Sequence, residues 1–323
     1  MSRAKLLAAA LGAAGVVAAI AYAGADAVGA AAERVGLAGL ILISLIHLPA
    51  IALTGSAWAV IGSDAAGASP WKFIWARYVR EATAEVLPFS QLGGVVAGAR
   101  ALTLTGLKAL PVTGSMLADL VIEQVAKLPY VLAGAILLLT APRAASLRLI
   151  AYALLPALIL TTAVLAGRKR AASLLERAAH ALARRLPGLR IGDPAQARGL
   201  ERLFAWNRRT FTALAIHTAA WAFGAVETWV ALHLMGVSVT ITAALIIDSL
   251  FCGLRTFGFA IPAALGVQEA GYVLICALLG IPAAPAVALS LIRRVRELAT
   301  GIPALAAWQL LEGRRAVAGF SNE

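Results

Sequence analysis

"AVALSLIRRVRELATGIPALAAWQL", residues 286–310, is long enough to cross a membrane as a helix, yet it carries Arg293, Arg294, Arg296 and Glu297 near its middle. A charged side chain at the centre of a bilayer costs about 2.5–3.5 kcal/mol on insertion scales, so charges at this depth usually have partners or a function. Arg293 and Glu297 are four residues apart and share one helix face. The stretch predicts a membrane helix that turns its charges toward other helices.

The composition places the whole chain in a membrane. Its 323 residues are 61% hydrophobic and 14% charged, with a mean hydropathy of +0.86, which a soluble domain could not bury. The net charge of +12 fits cytoplasmic loops and anionic lipid headgroups better than nucleic acid. The two cysteines, Cys252 and Cys276, lack metal-ligand spacing, so we expect neither a metal nor another cofactor.

Six apolar segments have the length of a membrane span. The basic loop 168–210 holds eleven Lys and Arg against three acidic residues, which indicates the cytoplasmic side of a bacterial inner membrane and puts both termini there too. The first segment follows basic residues like a signal peptide, but we favour a retained span, because the topology needs one. The expected spans are 6–23, 37–61, 112–141, 147–167, 211–235 and 285–311.

Two further segments, 69–110 and 241–280, are each interrupted by a proline, Pro88 and Pro262. Since proline removes a helix hydrogen bond, each segment predicts two helical arms around a break. We expect each to be a re-entrant hairpin, which enters the membrane and returns on the same side. Irregular backbone at that depth is tolerated where protein or a water-filled cavity surrounds it.

The sequence aligns with itself at an offset of 174 residues. The matches include three prolines, two glycines and one intramembrane acid: Pro88 with Pro262, Pro111 with Pro285, Pro129 with Pro303, Gly106 with Gly280, Gly62 with Gly236, and Glu123 with Glu297. This predicts an all-α polytopic membrane protein with repeats 1–145 and 146–315. Each unit is span, span, re-entrant hairpin, span, giving about six spans and two hairpins. Three crossings are an odd number, so the second unit is inverted, as in many transporters.

The buried charges are the candidate substrate pathway. Asp119, Glu123 and Lys127 lie four residues apart on one helix face, and we expect the acids to face Arg293 and Arg296 across the repeat interface. Two interpretations stay open: the pairs lock helices together, or they line a cavity for a lipid headgroup. Arginine suits a phosphate because its planar fork donates two parallel hydrogen bonds. The full set is Arg293, Arg294, Arg296, Glu297, Asp119, Glu123, Lys127 and Arg100.

The hairpin tips are a second candidate region. Their glycines allow close backbone approach, and the arm after each proline presents a helix N-terminus that favours an anion. Tight packing through small residues explains the same glycines without a ligand. The tip residues are Pro88, Ser90, Gln91, Gly93, Gly94, Pro262, Gly266, Gln268 and Glu269.

Residues 261–308 resemble the second signature of the lysylphosphatidylglycerol synthase transmembrane-region family, also described as flippase-like. That signature is a proline, Gly-x-x-Glu, Gly-[Ile/Val]-Pro, then a span with a central arginine, here Pro262, Gly266, Glu269, Gly280, Pro282 and Arg293 or Arg294. The first signature resembles Pro88, Gly93, Gly94 and Arg100, and "REATAEVLPFSQLGGVVAGARAL" (80–102) is most similar to the hopanoid-associated, HpnL-type branch.

The chain departs from the family pattern at Gly93-Gly94, where many members have Gly-Glu, and at Asp119-Leu120, where Glu-Arg is common. The resemblance implies lipid translocation between leaflets. It does not imply lipid aminoacylation, because the family's soluble transferase domain is absent from this sequence.

We therefore expect a translocator of an amphiphilic lipid, a phospholipid or a hopanoid-related molecule, rather than an enzyme. Two alternatives stay open: a membrane enzyme that modifies lipid headgroups through Glu269 or Asp119, and a scaffold that recruits lipid-synthesis enzymes through the loop 168–210. The sequence contains no nucleotide-binding, hydrolase or metalloprotease motif. Passive scrambling and proton coupling through Asp119 and Glu123 are both compatible with it.

Overall fold

The computed structural model describes residues 3–66, 69–87, 91–139, 206–255 and 266–320, with short helical pieces between 154 and 167. Every regular element in these ranges is an α-helix, which confirms the predicted all-helical class. The helices are α1 (Arg3–Ala23), α2 (Ala25–Ala66), α3 (Pro70–Val86), α4 (Gln91–Thr103), α5 (Ala109–Leu139), α6 (Arg208–Leu234), α7 (Ile241–Arg255), α8 (Val267–Leu278) and α9 (Ala283–Phe320).

The described part of the chain has an apolar outside and charges inside. Leu37, Ile136 and Leu310 are 60–73% exposed, whereas Asp119 and Arg296 are at most 3% exposed. A soluble protein shows the opposite distribution. With lipid as the surrounding solvent, apolar side chains can face outward and charged ones must find partners within the protein.

Two stretches of the described residues, Ala25–Gly62 and Pro111–Leu139, are long and apolar enough to cross a membrane. They contain the predicted spans 37–61 and most of 112–141. α6 and α9, with 27 and 38 residues, reach spanning length but carry buried charges. Residues 140–153, parts of 154–167, and most of the basic loop 168–210 lie outside the described residues, so the count of six spans stays a prediction.

Both proline-interrupted segments form pairs of helices. α4 packs antiparallel to α3. Gly94 lies against Arg80 and Ala84, and Gly98, one turn later on α4, lies against Ala76, which is nearer the start of α3. α8 likewise packs against α7. The predicted arms are therefore observed, whereas the linking prolines Pro88 and Pro262, together with Ser90, lie outside the described residues.

The helices recur in the predicted order. α3, α4 and α5 begin at residues 70, 91 and 109, and α7, α8 and α9 begin at residues 241, 267 and 283, which is 171, 176 and 174 residues further on. The turns before α5 and α9 each contain a glycine with positive φ, Gly106 at 94° and Gly280 at 75°. A repeat with an offset of 174 requires this correspondence.

The same helices meet in matching ways. α2 packs along α6, α3 packs against α9, and α5 packs against α7. α1 packs against α8 and α9, and it approaches α8 so closely that a Cβ at Gly15 would lie 3.0 Å from the Cα of Gly266. α1 is thus part of the helix bundle.

Candidate functional site

The acids of α5 are held by two arginines from α3. Glu123 accepts hydrogen bonds from both ends of the Arg77 guanidinium, at 3.0 and 2.9 Å, and from Arg80 at 2.8 Å. Asp119, one turn earlier, accepts from Arg80 at 3.3 Å and lies 2.9 Å from the His217 Nε2 of α6. Asp119 and Glu123 lie four residues apart on α5, and Arg77 and Arg80 lie three apart on α3, so each pair is on one helix face and the ion pairs form along a single contact between the two helices.

This arrangement corrects one expectation from the sequence. Asp119 and Glu123 were expected to face Arg293 and Arg296 of α9, but their partners are the arginines of α3. Arg293 instead contacts Asp248 of α7 at 2.5 Å. The one-face spacing on α5 was a sound indication of burial, but the neighbouring helix is not the one predicted.

A second tight group surrounds Arg293. Its Nη2 donates to Asp248 Oδ1, to the Thr228 hydroxyl at 2.7 Å and to the Gly224 carbonyl at 2.8 Å. Tyr130 of α5 donates to the other carboxylate oxygen of Asp248 at 2.8 Å. The group connects α5, α6, α7 and α9, and its hydrogen bonds offset much of the cost of burying the charges.

A third tight group lies at the start of α8. Glu269 accepts from Arg294 Nε at 2.8 Å and from the Ser290 hydroxyl at 3.0 Å, and it reaches back to the backbone N–H of Gly266 at 2.9 Å. Gln268 donates to the Ser290 carbonyl at 3.2 Å. These bonds fix α8 against α9. The acidic tip residue is thus already engaged by an arginine.

The remaining buried charges form a looser group, which we call the central cluster. It is drawn from α2, α3, α6, α7 and α9, where these helices meet between the two halves of the chain. Its members are His47, Glu81, Glu85, Glu227, Arg255, Arg296 and Glu297.

Apart from the 2.8 Å contact of His47 with Glu227, the contacts within the central cluster are long. Arg255 Nη2 lies 3.9 Å from Glu85 and 3.9 Å from Glu297, and Arg296 lies 3.7 Å from Glu227 and 3.8 Å from Glu297. A hydrogen bond between such groups would be 2.7–2.9 Å long. Arg296 is 3% exposed, yet its Nε and Nη1 have no hydrogen-bond partner among the described residues. The cluster therefore holds charges that are paired only at a distance.

His47 connects the cluster to the tight pairs of α3. Its Nδ1 lies 2.8 Å from Glu227 and its Nε2 lies 3.4 Å from Glu81, which in turn lies 3.5 Å from Arg77. Ion pairs, joined through the His47 ring, thus connect Asp119 and Glu123 of α5 to the carboxylates beside α9. Both halves of the chain contribute to this path.

The central cluster is open on one side. The Arg255 side chain is 38% exposed and the Glu81 side chain 21% exposed, although their neighbours are nearly buried. Close by, α2 between Leu37 and Leu48 forms a groove with Tyr78 of α3 and Thr300 of α9, which encloses about 310 Å³. The charged group and an apolar groove therefore lie side by side.

The other predicted residues lie apart from this cluster. Lys127 sits over the Trp221 ring, with its Nζ 5.4 Å from the ring centroid. Arg100 makes an exposed ion pair with Glu312 at 2.8 Å. Of the tip residues, Gly266, Gln268 and Glu269 meet at the start of α8; Gly94 packs on α3, Gly93 lies in the first turn of α4, and Gln91 begins α4.

Five of the seven residues of the central cluster, together with Arg77 and Asp248 of the tight groups, were not singled out from the sequence. Arg77, Glu81 and Glu85 follow one another at spacings of four in "WARYVREATAEV", which is the signal for one charged helix face. From the sequence this stretch was predicted only as one arm of a hairpin, with no role for its charges. Asp248, His47 and Glu227 are single polar residues in apolar segments, and intramembrane position alone marks such residues as candidates.

Comparison with known proteins identifies the family of this chain. No curated protein and no solved structure matches the chain. A family model described as "Lysylphosphatidylglycerol synthase TM region" matches residues 5–304, which is nearly the whole sequence. The chain is therefore a member of the lysylphosphatidylglycerol synthase transmembrane-region family.

Proposed function

We propose that this membrane protein moves an amphiphilic lipid, a phospholipid or a hopanoid-related molecule, between the two leaflets. The central cluster is the observation that carries the proposal: its arginines and most of its carboxylates have only distant partners, and it is open on one side within a chain whose described surface is apolar. A headgroup needs such a path, because bare hydrocarbon strongly opposes the passage of charge. The lipid-related family supports the substrate class.

The matching helix contacts support an inverted repeat. The contact of α3 with α9 has its counterpart in the contact of α7 with α5, and α2 meets its own counterpart, α6. A two-fold relation between the halves accounts for all three contacts. With three crossings per unit the halves face opposite sides of the membrane, and the hairpins enter from opposite sides. The excess of Lys and Arg in the loop 168–210 supports an orientation with both termini on the cytoplasmic side of a bacterial inner membrane.

The tight and loose groups then have different roles. Asp119, Glu123, Arg293 and Arg294 hold helices together, because each has at least one hydrogen-bond contact of 2.9 Å or less with a charged or titratable partner. Headgroup passage belongs to the loose group, which includes two residues expected from the sequence, Arg296 and Glu297, and five found in the structure. Arg100 and Glu312 form an exposed pair and are not part of this path.

Reconstitution tests the proposal directly. The full chain is placed in liposomes with a fluorescent lipid on both leaflets, and a membrane-impermeant reductant is added outside. Wild-type protein should expose the inner-leaflet lipid to the reductant, and Glu297→Gln should greatly slow this loss of protection. Glu312→Gln is the matched control, because it removes a carboxylate from the exposed pair, and it should behave like wild type.

The same material separates the alternatives. A headgroup-modifying enzyme would convert a radiolabelled lipid into a new product, with or without movement between leaflets. A scaffold would lose its function in cells when the loop 168–210 is shortened, but not when Glu297 is changed. Full lipid movement by Glu297→Gln would contradict the path that we assign.

A further inference from the structure

We infer that the central cluster accepts a zwitterionic headgroup, in which a phosphate and an ammonium group lie close together, while an acyl chain of the same lipid lies in the groove beside it. The inference rests on the proposed function, since it names the class of lipid that would move. It is argued from the unused hydrogen-bonding groups of the cluster, from its formal charge and from the position of the groove.

The arginine donors that have no close acceptor favour the binding of an anion. Arg296 Nε and Nη1 are buried without a partner, and Arg255 approaches Glu85 and Glu297 no closer than 3.9 Å. Leaving a buried charged donor unsatisfied is unfavourable by more than the net value of an ordinary hydrogen bond. Both arginines approach the same oxygen, Oε1 of Glu297, from within 4 Å, so their guanidinium groups lie near one another. A phosphate offers several acceptor oxygens to such a pair.

Two carboxylates of the same cluster, Glu81 and Glu85, favour the binding of a cation. Glu81 lies 3.4 Å from His47 and 3.5 Å from Arg77, and Glu85 has Arg255 as its nearest cation at 3.9 Å. Both carboxylates lie toward the open side, at 21% and 11% side-chain exposure. An ammonium group, with three donors, would give these carboxylates the short hydrogen bonds that the protein does not.

With every carboxylate of the cluster ionised, its formal charge favours one class of headgroup. The cluster holds four carboxylates against Arg255 and Arg296, with His47 as a third cation when both of its ring nitrogens, each facing a carboxylate, carry protons. The sum is then −1. A purely anionic headgroup would add to this excess, and a purely cationic one would leave the unpartnered donors of Arg296 unsatisfied. A zwitterion adds no net charge and serves both sets of groups.

The groove supplies the place for a hydrocarbon chain. Its volume of about 310 Å³ is roughly ten times the 30 Å³ or so that one water molecule occupies in the liquid. Its α2 wall includes Leu37, Ile41 and Leu45, all more than half exposed, so the groove is continuous with the lipid-facing surface. In a membrane, an apolar groove that opens to the acyl chains is filled by hydrocarbon rather than by water.

The groove meets the cluster within one helical turn on each of three helices. Ser44 of α2 precedes His47 by three residues, Tyr78 of α3 precedes Glu81 by three, and Thr300 of α9 follows Glu297 by three. Residues three apart are neighbours on a helix surface. A single amphiphile can therefore place its chain in the groove and its headgroup in the cluster.

Native mass spectrometry of the purified full chain provides the test, with three synthetic amphiphiles that share the same acyl chains. One carries phosphate and a primary ammonium group, one carries phosphate with an uncharged alcohol, and one carries a quaternary ammonium group without phosphate. We expect the wild type to retain the zwitterion at least about tenfold better than either of the others, as one lost charge-assisted hydrogen bond would give.

Two substitutions separate the two halves of the headgroup. Arg255→Gln should weaken retention of both phosphate-bearing amphiphiles, and Glu85→Gln should remove the preference for the zwitterion over the anion. Arg100→Gln, in the exposed pair, is the matched control for the first and should match the wild type. Thermal unfolding of each variant checks that the fold is kept.

The chain site has its own pair of variants. Ile41→Trp, which fills the groove, should weaken all three amphiphiles equally, whereas Ile136→Trp, on an exposed part of α5, should weaken none. Equal retention of the three amphiphiles by the wild type, or a preference for the anion, would overturn the inference. Lipid movement in liposomes without headgroup preference would overturn the zwitterionic site but leave the proposed lipid translocation intact. A binding preference for the zwitterion without any lipid movement would support the site but contradict the proposed translocation.

Discussion

Replacing Glu123 by glutamine should lower the free energy of unfolding more than the same replacement at Glu297. Glu123 accepts three hydrogen bonds of 2.8–3.0 Å from Arg77 and Arg80, and all three side chains are at least seven-eighths buried. A glutamine there has no negative charge, and its amide group places donors against donors. Asp119 then remains as the nearest anion, 3.3 Å from Arg80 and 3.7 Å from Arg77. Breaking a buried pair in this way costs about 3–5 kcal/mol.

Glu297→Gln is the matched substitution with the opposite expectation. Its nearest cations, Arg296 and Arg255, lie 3.8 and 3.9 Å away, and both have a second carboxylate within 4 Å. The substitution also relieves repulsion from Glu85, which shares Arg255 with it. We expect a change of no more than about 1 kcal/mol, because the substitution breaks no short hydrogen bond and relieves one repulsion.

The assay is thermal unfolding of both variants in one detergent, followed by lipid movement in liposomes for each protein that remains folded. Glu123→Gln should lower the midpoint by several degrees, while Glu297→Gln should leave the midpoint nearly unchanged and lose lipid movement. If Glu297→Gln destabilises the protein as much as Glu123→Gln does, the division into tight and loose groups is wrong.

Two further substitutions test the packing and the surface. Gly224→Ala should destabilise the protein by about 1–3 kcal/mol, the cost of overpacking, because a Cβ there would clash with the Asp248 carboxylate; Gly29→Ala, with open space around it, should be neutral or stabilising in the same unfolding assay. Charge removal at Arg100, whose partner Glu312 is a quarter exposed, should cost no more than about 1 kcal/mol, and a double-mutant cycle with Glu312→Gln should give a coupling of the same small size. A coupling of several kcal/mol would mean that this pair is buried in the membrane-embedded protein.

Hydrophobic segments and the positions of prolines were enough to predict the helices seen in the described residues, because both act on the chain locally. The prolines at 88 and 262 divide their segments into the arms seen as α3 with α4 and α7 with α8. Spacings of four on α5 placed Asp119 and Glu123 on one face, and both acids are buried. These features depend on the chain within one or two turns of each residue.

The choice of partners could not be predicted in the same way. A helix face shows which residues point inward, but the helix that it meets depends on the packing of the whole bundle. Asp119 was expected to meet Arg293, yet α3 lies beside α5 and supplies Arg77 and Arg80. The sequence predicted α3 only as an arm of a hairpin and did not identify its charges as partners of α5, although Arg77 is only 6% exposed.

The lengths of the buried ion pairs divide them into two groups, for which we expect different roles. Every buried charge in a membrane has to be compensated, and a protein that needed these charges only to join its helices would gain most from short, saturated pairs such as Arg293 with Asp248. In such pairs the carboxylate is already held by short hydrogen bonds, although one donor, Arg293 Nε, has no partner among the described residues. In the central cluster, Arg255 and Arg296 keep donors that no described carboxylate reaches within 3.5 Å. A headgroup passing through could bind these donors and then leave, because each contact that it makes replaces a long ion pair rather than a short one.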